Sequence, residues 1–403
     1  MPASMLCASI KSFVPRRAAL CLLAAVAAMA SGCGGGVGTG GTGGNATAYA
    51  SGPITGFGSV IVGGVRFDDV GAEVQDVDGG RRSRDDLRLG MTVEVESSAF
   101  TTDASGSKAT ASRIRFESEL VGLVGLLDVA GGGFTILGQR VAVDTTTVFD
   151  ERLASGLVGV SVGQALEVYA VFDAASQRYR ATRIEPALLS QGLRLRGPLA
   201  AVDTVAQTLR VGANTYSFAG ATGIPAGLAA GQFVRLRLSA EFTPARWVVR
   251  SFDTALQPLA DVQALKVEGL INSFASAQSF SVGGRLVDAS GASFPDGTSS
   301  LAIGVRVKVE GAVRSGVLRA SQVSIQSDQQ VRDQGFEIIG ALTAVNPSQR
   351  TITLRGFTIG TARPDLRFED GSAADLVVGR TVEVKGVLSG DQRTLDATRI
   401  RIR

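Results

Sequence analysis

The chain contains no histidine in 403 residues. That removes the commonest general base near neutral pH and the commonest transition-metal ligand. Serine–histidine hydrolysis and histidine-built metal centres are excluded with it. Aromatics are sparse, with one Trp and four Tyr. A stacking platform for single-stranded nucleic acid needs several rings along a basic groove, and these residues are scattered. Cysteine occurs only as Cys7, Cys21 and Cys33. The first two fall in an apolar leader, so Cys33 is left with no internal disulfide partner. Charge of one sign is also missing. The chain has 40 Lys+Arg against 37 Asp+Glu, and Lys11, Arg16 and Arg17 belong to the leader, which leaves 37 against 37. A neutral chain lacks the electrostatic footprint of a nucleic-acid binder. The longest apolar run, Ala18 to Met29, falls short of the ~20 residues of a membrane-spanning helix.

What is abundant is glycine, 51 residues in all, set among Val and Ile. That mixture favours many short strands and tight turns. The pattern also repeats. Residues 267–325 hold an apolar opening around Gly269, a second apolar block Phe280-Ser281-Val282, then Val287-Asp288. After Gly304, Val305, Val307 and Val309 alternate with Arg306, Lys308 and Glu310, and the unit closes at Val317–Ile325. The opening glycine recurs as Gly52, Gly125, Gly197, Gly269 and Gly340, at steps of about 72 residues. Self-similarity at a fixed step marks a repeat architecture. Modules of this size hide only about 60% of their unfolded surface and are marginal alone, so neighbours are expected to pack together, at least in pairs.

The expected organisation is a leader over 1–32, a Gly-rich tether over 33–51, and five β modules over 52–118, 119–190, 191–260, 261–330 and 331–403. The fold class is all-β: tandem small OB-like β-barrels, each with a short helical turn such as Ser372–Val378 plugging one end. The alternating strand after each second glycine should turn an apolar face to a core and a charged face to water. The connectors 187–192, 255–264 and 327–335 read as hinges.

Two resemblances add to this. Ala30-Ser31-Gly32-Cys33 resembles the bacterial lipoprotein cleavage box. The resemblance implies cleavage after Gly32, lipid on Cys33 and, with Gly34 rather than Asp next, an outer-membrane destination on either face. In the first module, Gly56-Phe57-Gly58-Ser59-Val60-Ile61-Val62, Gly64-Val65-Arg66-Phe67-Asp68 and Leu87-Arg88-Leu89-Gly90-Met91-Thr92-Val93-Glu94-Val95 resemble the bacterial domain of unknown function 5666. Later modules match more loosely. The resemblance implies secreted or lipid-anchored proteins of tandem β domains, and it brings no activity and no catalytic residues.

Candidate motifs dissolve on inspection. Gly159-Val160-Ser161-Val162-Gly163 spells a nucleophile elbow, but a strand follows and no histidine exists. Gly36, Gly38 and Gly41 fit G-x-G-x-x-G with no strand before and no helix after. Asp76-Val77-Asp78-Gly79 hints at a calcium loop without its remaining oxygen ligands. Asp68, Asp144 and Asp288 recur at equivalent places and read as turn residues accepting amide hydrogen bonds. Arg235, Arg237, Arg246 and Arg250, with Trp247, form the best basic cluster. They read as the polar face of strands or, alternatively, as a ligand surface. The expected function is non-enzymatic: an envelope lipoprotein acting as a structural or multivalent binding array. It has no cofactor, metal or catalytic residue, and its partners are the membrane through its anchor and an envelope glycan or protein. The alternative is a glycan-, peptide- or metal-ion-binding lipoprotein using the diverged third module.

Overall fold

The computed structural model describes residues 47–104, 106–153, 155–239, 247–253 and 256–403. The leader, Cys33, the tether residues before 47 and Arg246 lie outside the described residues.

Strand pairing closes on itself every five strands. In barrel one, β1 (Ala48–Phe57), β2 (Val60–Val62) and β3 (Val65–Asp68) form an antiparallel meander. After short strands at Glu73–Asp76 and Arg81–Arg82 come β4 (Thr92–Ser97) and, beyond another at Thr101–Asp103, β5 (Gly106–Phe116). β3 runs parallel to β5, β5 pairs with β4, and β4 returns to β1. The same order, 1-2-3-5-4, closes barrel two from β6 (Leu120–Asp128), β7 (Gly133–Ile136), β8 (Gln139–Ala142), β9 (Ala165–Asp173) and β10 (Arg178–Pro186). Barrel three uses β11 (Leu193–Asp203), β12 (Thr208–Val211), β13 (Asn214–Ser217), β14 (Phe233–Leu238) and β15 (Trp247–Asp253). Barrel four uses β16 (Val262–Ser276), β17 (Ser279–Val282), β18 (Arg285–Asp288), β19 (Arg306–Arg314) and β20 (Val317–Ile325). Barrel five uses β21 (Phe336–Asn346), β22 (Thr351–Leu354), β23 (Phe357–Gly360), β24 (Thr381–Leu388) and β25 (Leu395–Ile402). Closure of each ring leaves its five strands without a free edge.

One backbone lock recurs in all five. The second glycine, at Gly90, Gly163, Gly231, Gly304 or Gly379, has φ between +81° and +89°. That is a left-handed turn which a side chain resists. Its N–H donates to Ile54, Val124, Leu199, Ile271 or Leu342, and the same five residues donate back across the turn. The register also corrects one sequence assignment. The glycines opposite the fourth strand are Gly52, Gly122, Gly197, Gly269 and Gly340, facing Val93, Leu166, Val234, Val307 and Val382. Gly122, not Gly125, is therefore the opening glycine of the second segment. Gly125 lies where β6 shifts register against β7.

Inward positions are the apolar ones of each alternation, and fully burying a Val, Leu or Ile stabilises by roughly 1.5–3 kcal/mol. The cores merge across barrels. One joins barrels one and five, a second joins two and three, and a third fills barrel four and takes in Tyr49. Backbone ladders reinforce this. β1 runs parallel to β16 over Ala48–Ser51 and to β21 at Gly56 and Phe57, while β6 pairs with β11. Barrel one thus packs on barrels four and five, far from it in sequence, and not on sequence neighbours alone.

Two further expectations are corrected. The 327–335 connector is not a bare hinge, because α1 (Asp328–Gln334) occupies it, started by a capping box between Ser327 and Gln330. The short helical turn stands at Arg84–Asp86, Gly156–Gly159 and Ala373–Asp375, whereas irregular turns replace it in barrels three and four.

Candidate functional site

The charged strand faces expected to meet water instead meet other barrels. Their centre is a cavity of about 140 Å³ at the junction of barrels one to four. Four carboxylates (Glu94, Glu117, Glu119, Glu268) and four guanidinium groups (Arg115, Arg196, Arg235, Arg285) line it. The space suits a few ordered waters bridging polar walls.

Three of the carboxylates are met from another barrel. From barrel four, Arg285 Nη2 donates to Glu94 Oε1 of barrel one at 2.5 Å. From barrel three, Arg235 Nε donates to Glu117 Oε1 at 2.5 Å. Arg196 Nη1 donates to Glu119 Oε1 at 3.3 Å, and the Ala170 N–H donates to Glu119 Oε2 at 2.9 Å. Burial pushes the Glu119 carboxyl up to about 8, against the pull of Arg196, with the Glu117 charge adding to the rise. Burial raises Glu117 as well, despite Arg196 and Arg235. Burial also pushes on Glu94, but Arg285 and Arg115 outweigh it and hold that carboxyl below its ordinary range.

Similar pairs stitch the periphery. Arg66 forks onto Glu337 between barrels one and five, with one arm at 2.9 Å. Arg183, buried in barrel two, reaches the Leu89 carbonyl of barrel one at 3.3 Å. Gln139 Nε2 donates to the Val211 carbonyl and the Tyr216 hydroxyl across barrels two and three at 2.8 and 2.9 Å. Arg180 holds Asp328 of α1 at 2.7 Å. Where such a pair is buried it contributes little net stability, but removing one partner is costly.

The basic cluster singled out in the sequence is not brought together as one surface. Arg235 is only 4% exposed and is committed to Glu117 inside the junction. Arg237 bridges Asp253, at 2.7 Å, and Asp78 of barrel one. Trp247 packs against the core of barrels two and three, 6.3 Å from the Tyr216 ring. Arg250 is exposed and reaches Ser239 at 3.4 Å.

The repeated aspartates sit as expected of turn residues. Asp68, Asp144 and Asp288 each accept the N–H two residues on, from Val70, Thr146 and Ser290, at 3.2, 2.8 and 3.0 Å. Ser217 holds the same place in barrel three and accepts from Ala219 at 3.4 Å. Asp76 is filled by the amides of Asp78 and Gly80 and by Arg82. Among the described residues no group of three or more acidic side chains is placed to hold a metal ion.

The repeat now has a sequence counterpart. The family model described as domain of unknown function (DUF5666) matches residues 126–185, 268–324 and 339–401. The chain carries this domain in three copies. The matched DUF5666 stretches are the second, fourth and fifth barrels. Residues 52–116, whose motifs carried the sequence resemblance, lie outside them, as does barrel three. A search of curated proteins found no match. Among solved structures, drosophila Unr CSD456 aligns with 53% of this chain and 98% of its own at 14% identity, with a TM-score of 0.15.

Proposed function

We propose that this protein is a non-enzymatic cell-envelope lipoprotein in which five copies of one OB-like module form a rigid binding or structural array. Three copies carry the DUF5666 match, and barrels one and three are diverged members with the same strand order. The observation that carries the reading is that β1 belongs to its own barrel and also pairs with strands of barrels four and five. An array tied this way holds its outer surfaces in fixed relation, so linked weak contacts to an envelope glycan or protein gain avidity without a flexible-linker penalty. Glu94, Glu117 and Glu119 are each held by an arginine at the junction, which fits a joint rather than a reaction centre. No nucleic-acid partner is implied by a neutral chain.

The anchor is Cys33 at the end of the leader, with Gly34 favouring the outer membrane. Acyl chains there would hold firmly, each buried CH₂ contributing about 0.8 kcal/mol. Radiolabelled fatty acid fed to cells making the parent chain or Cys33→Ser tests this. Label should enter the parent alone, and the variant should leave the membrane fraction. Equal labelling of both would end the anchor reading.

A further inference from the structure

A second cavity, of about 310 Å³, lies where β1, β10, β16, β19 and β24 meet α1. Its volume falls at the lower end of the range of about 300–1,000 Å³ typical of small-molecule sites. Most of its wall is apolar, with Val331 of α1 and Val387 and Leu388 of β24 contributing. Two opposite charges stand in that wall, Arg306 and Glu268, with side chains only 9% and 8% exposed. They approach to 3.7 Å and so form an ion pair without a hydrogen bond. Arg306 Nε is buried with no partner, and so is the Thr182 hydroxyl, which also lines the cavity.

At the junction, buried charges are closed into hydrogen-bonded pairs, as at Arg285–Glu94 and Arg235–Glu117. The 306–268 pair, with both side chains under one-tenth exposed, is not closed in that way, and it faces an apolar space. Buried polar groups left unmade are costly, so such groups in a native fold call for a partner. One exposed flank of the cavity is formed by Arg332 and Asp333 of α1.

We propose that this cavity binds a free α-amino acid with an apolar side chain. The ligand carboxylate takes Arg306, its ammonium takes Glu268, and its side chain lies against Val331, Val387 and Leu388. Thr182 completes the polar end. A monocarboxylate would leave Glu268 buried without a partner, and an amine would leave Arg306 so. Rejection of analogues lacking one polar group is the signature of a site built to pair both. The site needs residues from barrels one, two, four and five together, so it exists only in the assembled chain.

Calorimetric titration of the full chain in detergent tests this, using leucine, 4-methylpentanoate (leucine without its ammonium) and 3-methylbutylamine (leucine without its carboxylate). Leucine should bind at one equivalent, and both analogues should bind at least about tenfold more weakly. Val331→Trp fills the cavity from α1 without touching the charged pair, and it should abolish binding while leaving the melting temperature close to the parent's. Arg306→Met should abolish binding too. If that variant fails to fold, the analogues and Val331→Trp still decide. No leucine heat up to about 10 mM, an analogue binding as tightly as leucine, or undiminished binding by Val331→Trp would each overturn the proposal. None of these outcomes depends on lipid at Cys33.

Discussion

The barrel interiors and the seams between barrels are built on opposite plans. Inside, five rings use one set of devices. A left-handed glycine is locked by two backbone hydrogen bonds, an opening glycine faces an aliphatic residue, and alternating Val, Ile and Leu fill the core. Between barrels the means is mostly an arginine–carboxylate pair, but each is set between a different combination of strands. Arg285–Glu94, Arg235–Glu117, Arg66–Glu337 and Gln139–Tyr216 are each found once. The interior explains how a duplicated block keeps folding. The seam explains how five similar blocks find one arrangement, because a misplaced barrel would bury charges without their partners.

The sharpest way to break that contrast is to open the seam from one side. Arg235→Met leaves Glu117 short of a partner in the junction and should destabilise by roughly 3–5 kcal/mol. Adding Glu117→Gln should recover part of that loss, although the cores of both barrels are untouched. Urea unfolding followed by the single Trp247 reads this directly, since Trp247 sits in barrel three. A double variant as unstable as the single would mean that the charges do not act as a matched set.

A pH effect of similar size is centred on the seam. Glu119 titrates near 4.3 in an unfolded chain and at about 8 in the fold. Between those values the folded chain keeps a proton that the unfolded chain has released, so stability falls as pH rises through the window, by about 1.4 kcal/mol per pKa unit separating the two states. Glu117, Glu167 and Glu268, all raised by burial, add in the same direction. Glu94, Asp150 and Asp328 are lowered, so their contribution is lost only on acidification. Glu119→Gln keeps the side-chain shape without the titration and should flatten the fall between about pH 5 and about pH 8. An unchanged slope in the variant would remove Glu119 from the account.

The same contrast explains what could be read from the sequence. Strand alternation, the glycine turns and the Asp68, Asp144 and Asp288 turns were legible because their partners lie inside one repeat. The seam was not, because its partners are distant: 271 residues separate Arg66 from Glu337, and 191 separate Arg285 from Glu94. Alternation places Arg235 on the outside of its own barrel correctly, but it cannot say that the outside is another barrel's flank. Gly125 was mistaken for Gly122 because Val121-Gly122-Leu123-Val124-Gly125 offers two glycines three residues apart, and only ladder register chooses between them. The cavity holding Arg306 and Glu268 was invisible for the same reason as the seam, since its walls come from four barrels.

The smallest effect sets interior against seam at one repeated position. Gly163 and Gly304 hold the same lock, with φ of +81° and +86°. A Cβ on Gly163 would meet nothing within 4 Å, whereas one on Gly304 would lie 2.6 Å from Cβ of Ala175 and 3.0 Å from Oδ1 of Asp173, both in barrel two. Gly163→Ala should therefore show the backbone penalty alone, about 1–2 kcal/mol. Gly304→Ala should show that penalty plus the displacement of barrel two against barrel four. Urea midpoints of the two variants measure the difference. If they are equally destabilised, barrel two yields to the methyl group at no cost, and the packing of these two barrels is looser than the Asn272 hydrogen bond to the Phe172 carbonyl at 2.9 Å implies.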